Sequence, residues 1–170
     1  ALEIYERLAQ SNPQAYEPDL ARSYNNLAIL YSDTQRFSES EAMYKQALAI
    51  RKRLAQSSPQ AYEPALADSY NNLAILYSDT QRFAESEAMH KQALAIRERL
   101  AQSNPKAYEP DLAVSYNNLA ILYSDIQRFS ESEAMYKQAL AIYERLAKAN
   151  PQIYETQLME SYYWLGRTML

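Results

Sequence analysis

An all-α fold, an α-solenoid of stacked antiparallel helix pairs, follows from three features of this sequence. The stretch Ser23-Tyr24-Asn25-Asn26-Leu27-Ala28-Ile29-Leu30-Tyr31-Ser32-Asp33 returns unchanged as Ser69 to Asp79 and as Ser115 to Asp125. Tyr16-Glu17-Pro18, Tyr62-Glu63-Pro64 and Tyr108-Glu109-Pro110 keep a step of 46 residues, and Tyr154-Glu155-Thr156 keeps it once more. A fixed period of roughly 20–50 residues marks a stacked architecture in which each unit contacts mainly its neighbours. Glycine occurs once, at Gly166, against an average of about 7%. A chain so poor in residues that turn with positive φ is expected to be helices joined by short connections.

In chain order, residues 1–15 match 47–61 and form a partial repeat, the second half of a second helix. Repeats 16–61, 62–107 and 108–153 come next, and 154–170 begins a fourth. The whole, 1–170, is expected to be one repeat array. Within the first unit, Glu17-Pro18-Asp19 is expected to open a helix of about 18–33, since proline suits the first helical position and acids suit the first turn. Leu20, Tyr24, Leu27, Ala28 and Tyr31 recur at helical spacing. Asp33-Thr34-Gln35-Arg36 is the turn, with Asp33 or Thr34 as N-cap of the second helix. That second and longer helix carries Phe37, Ser40, Tyr44, Ala47, Leu48 and Leu54, and Ser57-Ser58-Pro59 ends it. Ser38-Glu39-Ser40-Glu41 resembles a capping box.

Composition narrows the function. The net charge is −4 and the pI about 5.1, the reverse of the basic footprint of a nucleic-acid binder. There is no cysteine, hence no disulfide framework or thiolate chemistry. No apolar run reaches the length of about 18 residues that a membrane helix needs. No targeting segment is visible, so the cytoplasm is the default expectation. The chain starts without methionine and in register with Ala47, as a piece of a longer array would. Near-identity of the units fits recent duplication or design; scattered differences such as Tyr44 against His90 favour a natural source. Phosphate loops, Ser–His–Asp sets and metal spacings do not occur, so neither an enzyme nor a cofactor is expected. The sole histidine, His90, stands where the other units have Tyr44 and Tyr136 and reads as a packing substitution.

Asn25-Asn26-Leu27-Ala28-Ile29-Leu30-Tyr31 and Glu41-Ala42-Met43-Tyr44-Lys45-Gln46-Ala47-Leu48-Ala49-Ile50 carry a family likeness. The chain resembles tetratricopeptide repeat proteins of the long-unit variety seen in kinesin light chains and many bacterial repeat proteins. The family's small residue matches Ala28, Ala74 and Ala120, and Gly166 in the last unit; its aromatic matches Phe37, Phe83 and Phe129; its second-helix alanine matches Ala47, Ala93 and Ala139. Gln35, Gln81 and Gln127 replace the usual turn glycine, and Ser40, Ser86 and Ser132 stand where alanine is common. The resemblance implies a right-handed superhelix whose concave face is lined by the first helices, and a role in binding protein partners.

That face is expected to hold position 22, Asn25 or Asn26, Ile29 and Asp33 in each unit. Asn26, Asn72 and Asn118 place a carboxamide at one equivalent point per repeat. Asparagine is a mediocre helix former, and an amide offers donor and acceptor together, as the peptide groups of an extended partner require. By resemblance this is the asparagine ladder that several family members use on a peptide backbone, and its replacement by alanine is expected to leave stability nearly unchanged. Asn25, Asn71 and Asn117 are expected to be structural, though on the groove side. Ile29, Ile75 and Ile121 supply apolar surface, and Asp33, Asp79 and Asp125 acid. Arg22, Asp68 and Val114 vary and read as tuning. So few cations disfavour an acidic tail as partner and favour a basic or apolar peptide. The alternative is a spacer or a head-to-tail self-assembling segment, through the exposed terminal helices and especially Trp164 and Met169.

Overall fold

A computed structural model describes residues 2–168. Among them the regular elements are helices: α1 (Leu2–Ser11), α2 (Pro13–Asp33), α3 (Phe37–Ser57), α4 (Pro59–Asp79), α5 (Phe83–Ser103), α6 (Pro105–Asp125), α7 (Phe129–Ala149) and α8 (Pro151–Thr168). Two compact units, Ala1–Met89 and His90–Leu170, divide within α5. In the first, α1 packs on α2, α2 on α3 and α3 on α4; in the second, α6 packs on α7 and α7 on α8.

The first helix of each pair begins earlier than its sequence suggests. α2 opens at Pro13 and not at Pro18, so residues 13–15 belong to it, and α2 and α3 are equal in length at 21 residues. Asn12 alone separates α1 from α2. Its side chain accepts from the Ala15 N–H at 3.3 Å, and Asn104 serves Ala107 in the same way. Proline at the first helical position loses no bond there. Pro18 sits inside α2 and removes only the bond to the exposed carbonyl of Gln14, a tolerable loss near a helix end.

The turn within each pair is a Schellman closure. The Arg36 N–H donates to the Tyr31 carbonyl and the Gln35 N–H to that of Ser32, both at 2.8 Å, satisfying carbonyls the helix end would otherwise orphan. Gln35, Gln81 and Gln127 have φ of 58°, 59° and 61°, the left-handed region where glycine is at ease and other residues carry strain. Neither Asp33 nor Thr34 caps the second helix. Arg36 holds that position without a side-chain cap bond, and the Thr34 hydroxyl donates backwards to Leu30 at 2.9 Å.

The capping-box resemblance also gives way. The Glu39 carboxylate takes the Arg36 Nε–H at 3.0 Å, while the buried Ser40 hydroxyl donates to the Ala28 carbonyl of α2 at 2.8 Å. Ser132 repeats the latter bond to Ala120 at 2.8 Å. Ser40 and Ser132 thus bond the backbone they cross, whereas the buried Ser86 Oγ has no hydrogen-bond partner. Ala28, Ala47, Ala74, Ala93, Ala120 and Ala139 are fully buried, as a close approach of helix backbones requires.

Each unit has its own core. Leu20 and Ala21 of α2 meet Ile50 and Leu54 of α3 and Ala9 of α1, walled by Tyr16 and Tyr24. Leu112 and Ala113 of α6 meet Ala139, Ile142 and Tyr143 of α7, with Tyr154 and Leu158 of α8 against them. Burial of each large aliphatic side chain contributes about 1.5–3 kcal/mol. In the core stripe read from sequence, Ala28 is buried and Tyr24, Leu27 and Tyr31 are half-buried on α2, while the copy on α4, Tyr70, Leu73, Ala74 and Tyr77, is buried throughout.

Candidate interaction surface

The residues left outside these cores define a repeated surface on the first helices. With positions 24, 27, 28 and 31 turned toward the neighbouring helices, positions 22, 26, 29 and 33 share the other side of α2. Arg22, Asn26, Ile29 and Asp33 are exposed, as are Asp68, Ile75 and Asp79 on α4 and Val114, Ile121 and Asp125 on α6. Asn72 and Asn118 are half-buried. The isoleucines stand out, since Ile29, Ile75 and Ile121 are 42%, 43% and 43% exposed. Each repeat thus exposes an apolar side chain at the same position of its first helix.

The two asparagine rows are physically joined. In the first unit, the Asn72 Nδ2 donates to the Asn25 Oδ1 at 3.0 Å, tying α4 to α2. Asn72 keeps one N–H and its carbonyl oxygen for another partner. In the second unit the Asn117 Oδ1 is buried without a hydrogen-bond partner. In the repeat register Trp164 lies as far beyond Asn117 as Asn72 lies beyond Asn25, and its indole N–H does not reach the Asn117 Oδ1. The bond to Asn25 gives Asn72 a bracing role between α4 and α2.

Charge on this surface is acidic. The Arg22 guanidinium is engaged by Asp19 of its own helix at 2.7 Å, whereas Asp33, Asp79 and Asp125 stand in one register, each exposed. A second charged group, unforeseen in the sequence, ties α2–α3 to the next pair. Glu41 receives Arg82 at 2.7 Å, Lys45 at 2.7 Å and the Tyr77 hydroxyl at 3.1 Å. Partial burial opposes its ionised form, but the bonds from Lys45, Arg82 and Tyr77 prevail and hold its carboxyl below the ordinary range. Arg51 likewise donates to Ser69 at 2.7 Å, and Arg97 to Ser115 at 2.8 Å. The sequence hides such pairs, because the partners lie 18 or 41 residues apart and no local pattern marks them.

His90 is buried at 4% exposure with its Nδ1 unpartnered. Burial, with the Arg97 charge in support, pushes its pKa down to about 4. It is a packed neutral side chain, as its place in the repeat suggests. Trp164 is 41% exposed beside Tyr163, and Met169 lies outside the described residues. No group of acidic or histidine side chains that could hold a metal occurs among the described residues, and none of their helices is long and apolar enough to cross a membrane.

Tandem helix pairs closed by Schellman turns, crossing at recurring small residues and exposing the same positions on each first helix, define a protein built from structural repeats. The family model for the tetratricopeptide repeat matches residues 20–59, 66–105 and 112–152, and the chain belongs to that family. Repeats of this family are in general protein-interaction or scaffold modules. Among solved structures, the chain is similar to BtubC (BKLC) from P. vanneervenii, with 21% identity, TM-score 0.71, and coverage of 98% of this chain and 78% of that one. It is also similar to a kinesin light chain-like protein of Podosopora anserina with nearly identical TPR-like repeats, at 21% identity and TM-score 0.61, over 99% of this chain and 83% of that one. These likenesses establish the fold. No curated protein matches the sequence.

Proposed function

We propose that this chain is a protein-interaction module that holds an extended segment of a partner along its first helices, in the groove expected of the family. The observation that carries the reading is the recurrence of an exposed isoleucine, an amide and a carboxylate at the same three levels: Ile29, Asn26 and Asp33 on α2, then Ile75, Asn72 and Asp79 on α4. The same set returns on α6 as Ile121, Asn118 and Asp125. Amides suit the peptide groups of an extended chain, isoleucines its apolar side chains, and aspartates its basic ones. The partner is thus an extended peptide of basic and apolar character, and no catalytic step is involved. Selection from a random peptide library on this chain and on its Asn26→Ala/Asn118→Ala variant tests it. Enrichment of basic, apolar peptides that the variant fails to bind supports the reading. Enrichment indifferent to the asparagines overturns the amide role.

A second reading, head-to-tail self-association, is favoured by α8. Its Met159, Tyr163 and Trp164 are 67%, 59% and 41% exposed.

A further inference from the structure

We propose a second binding site on this chain, a crevice between α5 and α6 in which the Tyr116 ring and the Glu98 carboxylate receive a lysine side chain of a partner protein. The Tyr116 hydroxyl donates to Glu98 at 2.7 Å, and the same bond joins Tyr24 of α2 to Glu6 of α1 at 2.6 Å. All four side chains are half-buried. Ala101 and Leu112 form an apolar floor against which Tyr116 packs. The Tyr24 copy opens on a cavity of about 330 Å³ whose lining includes Glu6, Gln10 and Leu20. Glu109, the other carboxylate of the α5–α6 crevice, is engaged by Arg145 at 2.8 Å, so Glu98 is the one offered to a cation. A carboxylate has about four acceptor positions, and the Tyr116 hydroxyl fills one. Tyr116 stands two residues from Val114 and from Asn118 and turns to another side of α6 than the first-helix stripe, so the site is independent of that surface.

The chain itself shows what fills such a crevice. At the α3–α4 junction, Lys52 stands in the register of Glu98 and Tyr70 in that of Tyr116. There the Lys52 ammonium lies over the Tyr70 ring, 5.3 Å from its centroid, and Tyr70 is only 8% exposed. An ammonium within about 6 Å of a ring centre is attracted to the negative face of the ring, and the lysine stem covers apolar surface while its head stays in water. Where glutamate replaces that lysine, the tyrosine stays half-buried instead of buried, and a carboxylate that attracts a cation stands beside it. The lysine that the α3–α4 crevice supplies from its own wall then comes from another protein, drawn by the opposite charge of Glu98. The α5–α6 crevice lies inside the array, so its opening does not depend on where the sequence begins or ends.

The test is an NMR titration of the full-length chain, read at the assigned tyrosine rings. The probe is Nα-acetyl-lysine methylamide, and the norleucine analogue is its neutral control. Saturable shifts of Tyr116 and Tyr24 with the lysine probe, in the millimolar range, and none with norleucine are expected. Tyr70, already covered by Lys52, should stay still. Glu98→Gln should weaken binding at Tyr116 about three- to fivefold and leave Tyr24 unchanged. Lys52→Glu should open the α3–α4 crevice, so that Tyr70 begins to shift with the probe. Backbone amide spectra check that each variant is folded, and the wild-type titration decides without them. Rings that ignore the lysine probe, or that answer norleucine equally, overturn the proposal. So does ammonium ion alone shifting Tyr116 as strongly as the probe, since that marks a small-cation site with no use for a lysine stem. A Tyr70 ring that stays still in a folded Lys52→Glu variant overturns the inference from Lys52.

Discussion

Lowering the pH should destabilise this protein through a single buried imidazole. His90 lies in the interior with its Nδ1 unpartnered, and burial, aided by the Arg97 charge, holds its pKa at about 4 against an ordinary 6.5. The unfolded chain therefore takes up the proton more readily than the folded one. The contribution of neutral His90 is intact above pH 6.5 and is lost as the pH falls toward 4. Each pKa unit corresponds to about 1.4 kcal/mol, so the full loss is about 3 kcal/mol, of which about 2 kcal/mol is already gone at about pH 5. His90→Tyr restores the residue that occupies the equivalent sites 44 and 136, and both of those tyrosines are buried. Urea unfolding of the two proteins at about pH 7, 6 and 5 isolates the effect, because carboxylate titrations common to both cancel. The stability gap should widen by about 2 kcal/mol in favour of tyrosine between about pH 7 and pH 5. Parallel loss of stability in the two proteins would refute an imidazole held neutral by burial.

Other expectations concern the turns and the amide rows. Gln81→Gly, which relieves a residue at φ 59°, should stabilise by about 0.5–1 kcal/mol net of the extra chain entropy of glycine. A lower urea midpoint would contradict it. Asn72→Ala should cost about 1 kcal/mol by leaving the Asn25 Oδ1 without its donor, and a double-mutant cycle with Asn25→Ala should show coupling between them. Trp164→Asn should raise the stability of the second unit by about 1 kcal/mol by giving the buried Asn117 Oδ1 a donor. Hydrogen exchange of α6 and α8 reads that change locally, and slower exchange is the expected sign. Ser40→Val, which removes the donor to the Ala28 carbonyl and adds bulk at a fully buried crossing, should cost about 2 kcal/mol or more in thermal unfolding.

What the sequence shows and what it hides divide along a physical line. Helix pairing, the crossing alanines and the aromatic walls are legible because they depend on a local period repeated three times over. Helix starts are not, since Asn12-Pro13 both ends one helix and begins the next, and Pro18 suggests a later start that it does not make. The positive φ of Gln35 shows only through the family resemblance, in which it stands at the turn glycine, because glutamine itself carries no mark of the left-handed region. On the candidate surface, the row of Asn26, Ile29 and Asp33 is legible as the side of α2 opposite the core. The bond from Asn72 to Asn25 is not: adjacent asparagines suggest two independent rows, and only the stacking of α4 on α2 shows that one row braces the other. The Glu41–Arg82–Tyr77 group is invisible for the same reason, as its members come together only when successive pairs pack.

The most direct test of the central claim is the peptide-library selection, run in parallel on the wild-type chain and on a variant in which Ile29, Ile75 and Ile121 are replaced by Asp. All three positions are solvent-exposed, so the variant should remain helical and folded. An interaction module working through these first helices predicts enriched extended peptides of basic and apolar character for the wild type and their loss in the variant. Peptides that bind both proteins alike would place the interaction elsewhere on the molecule and contradict the account.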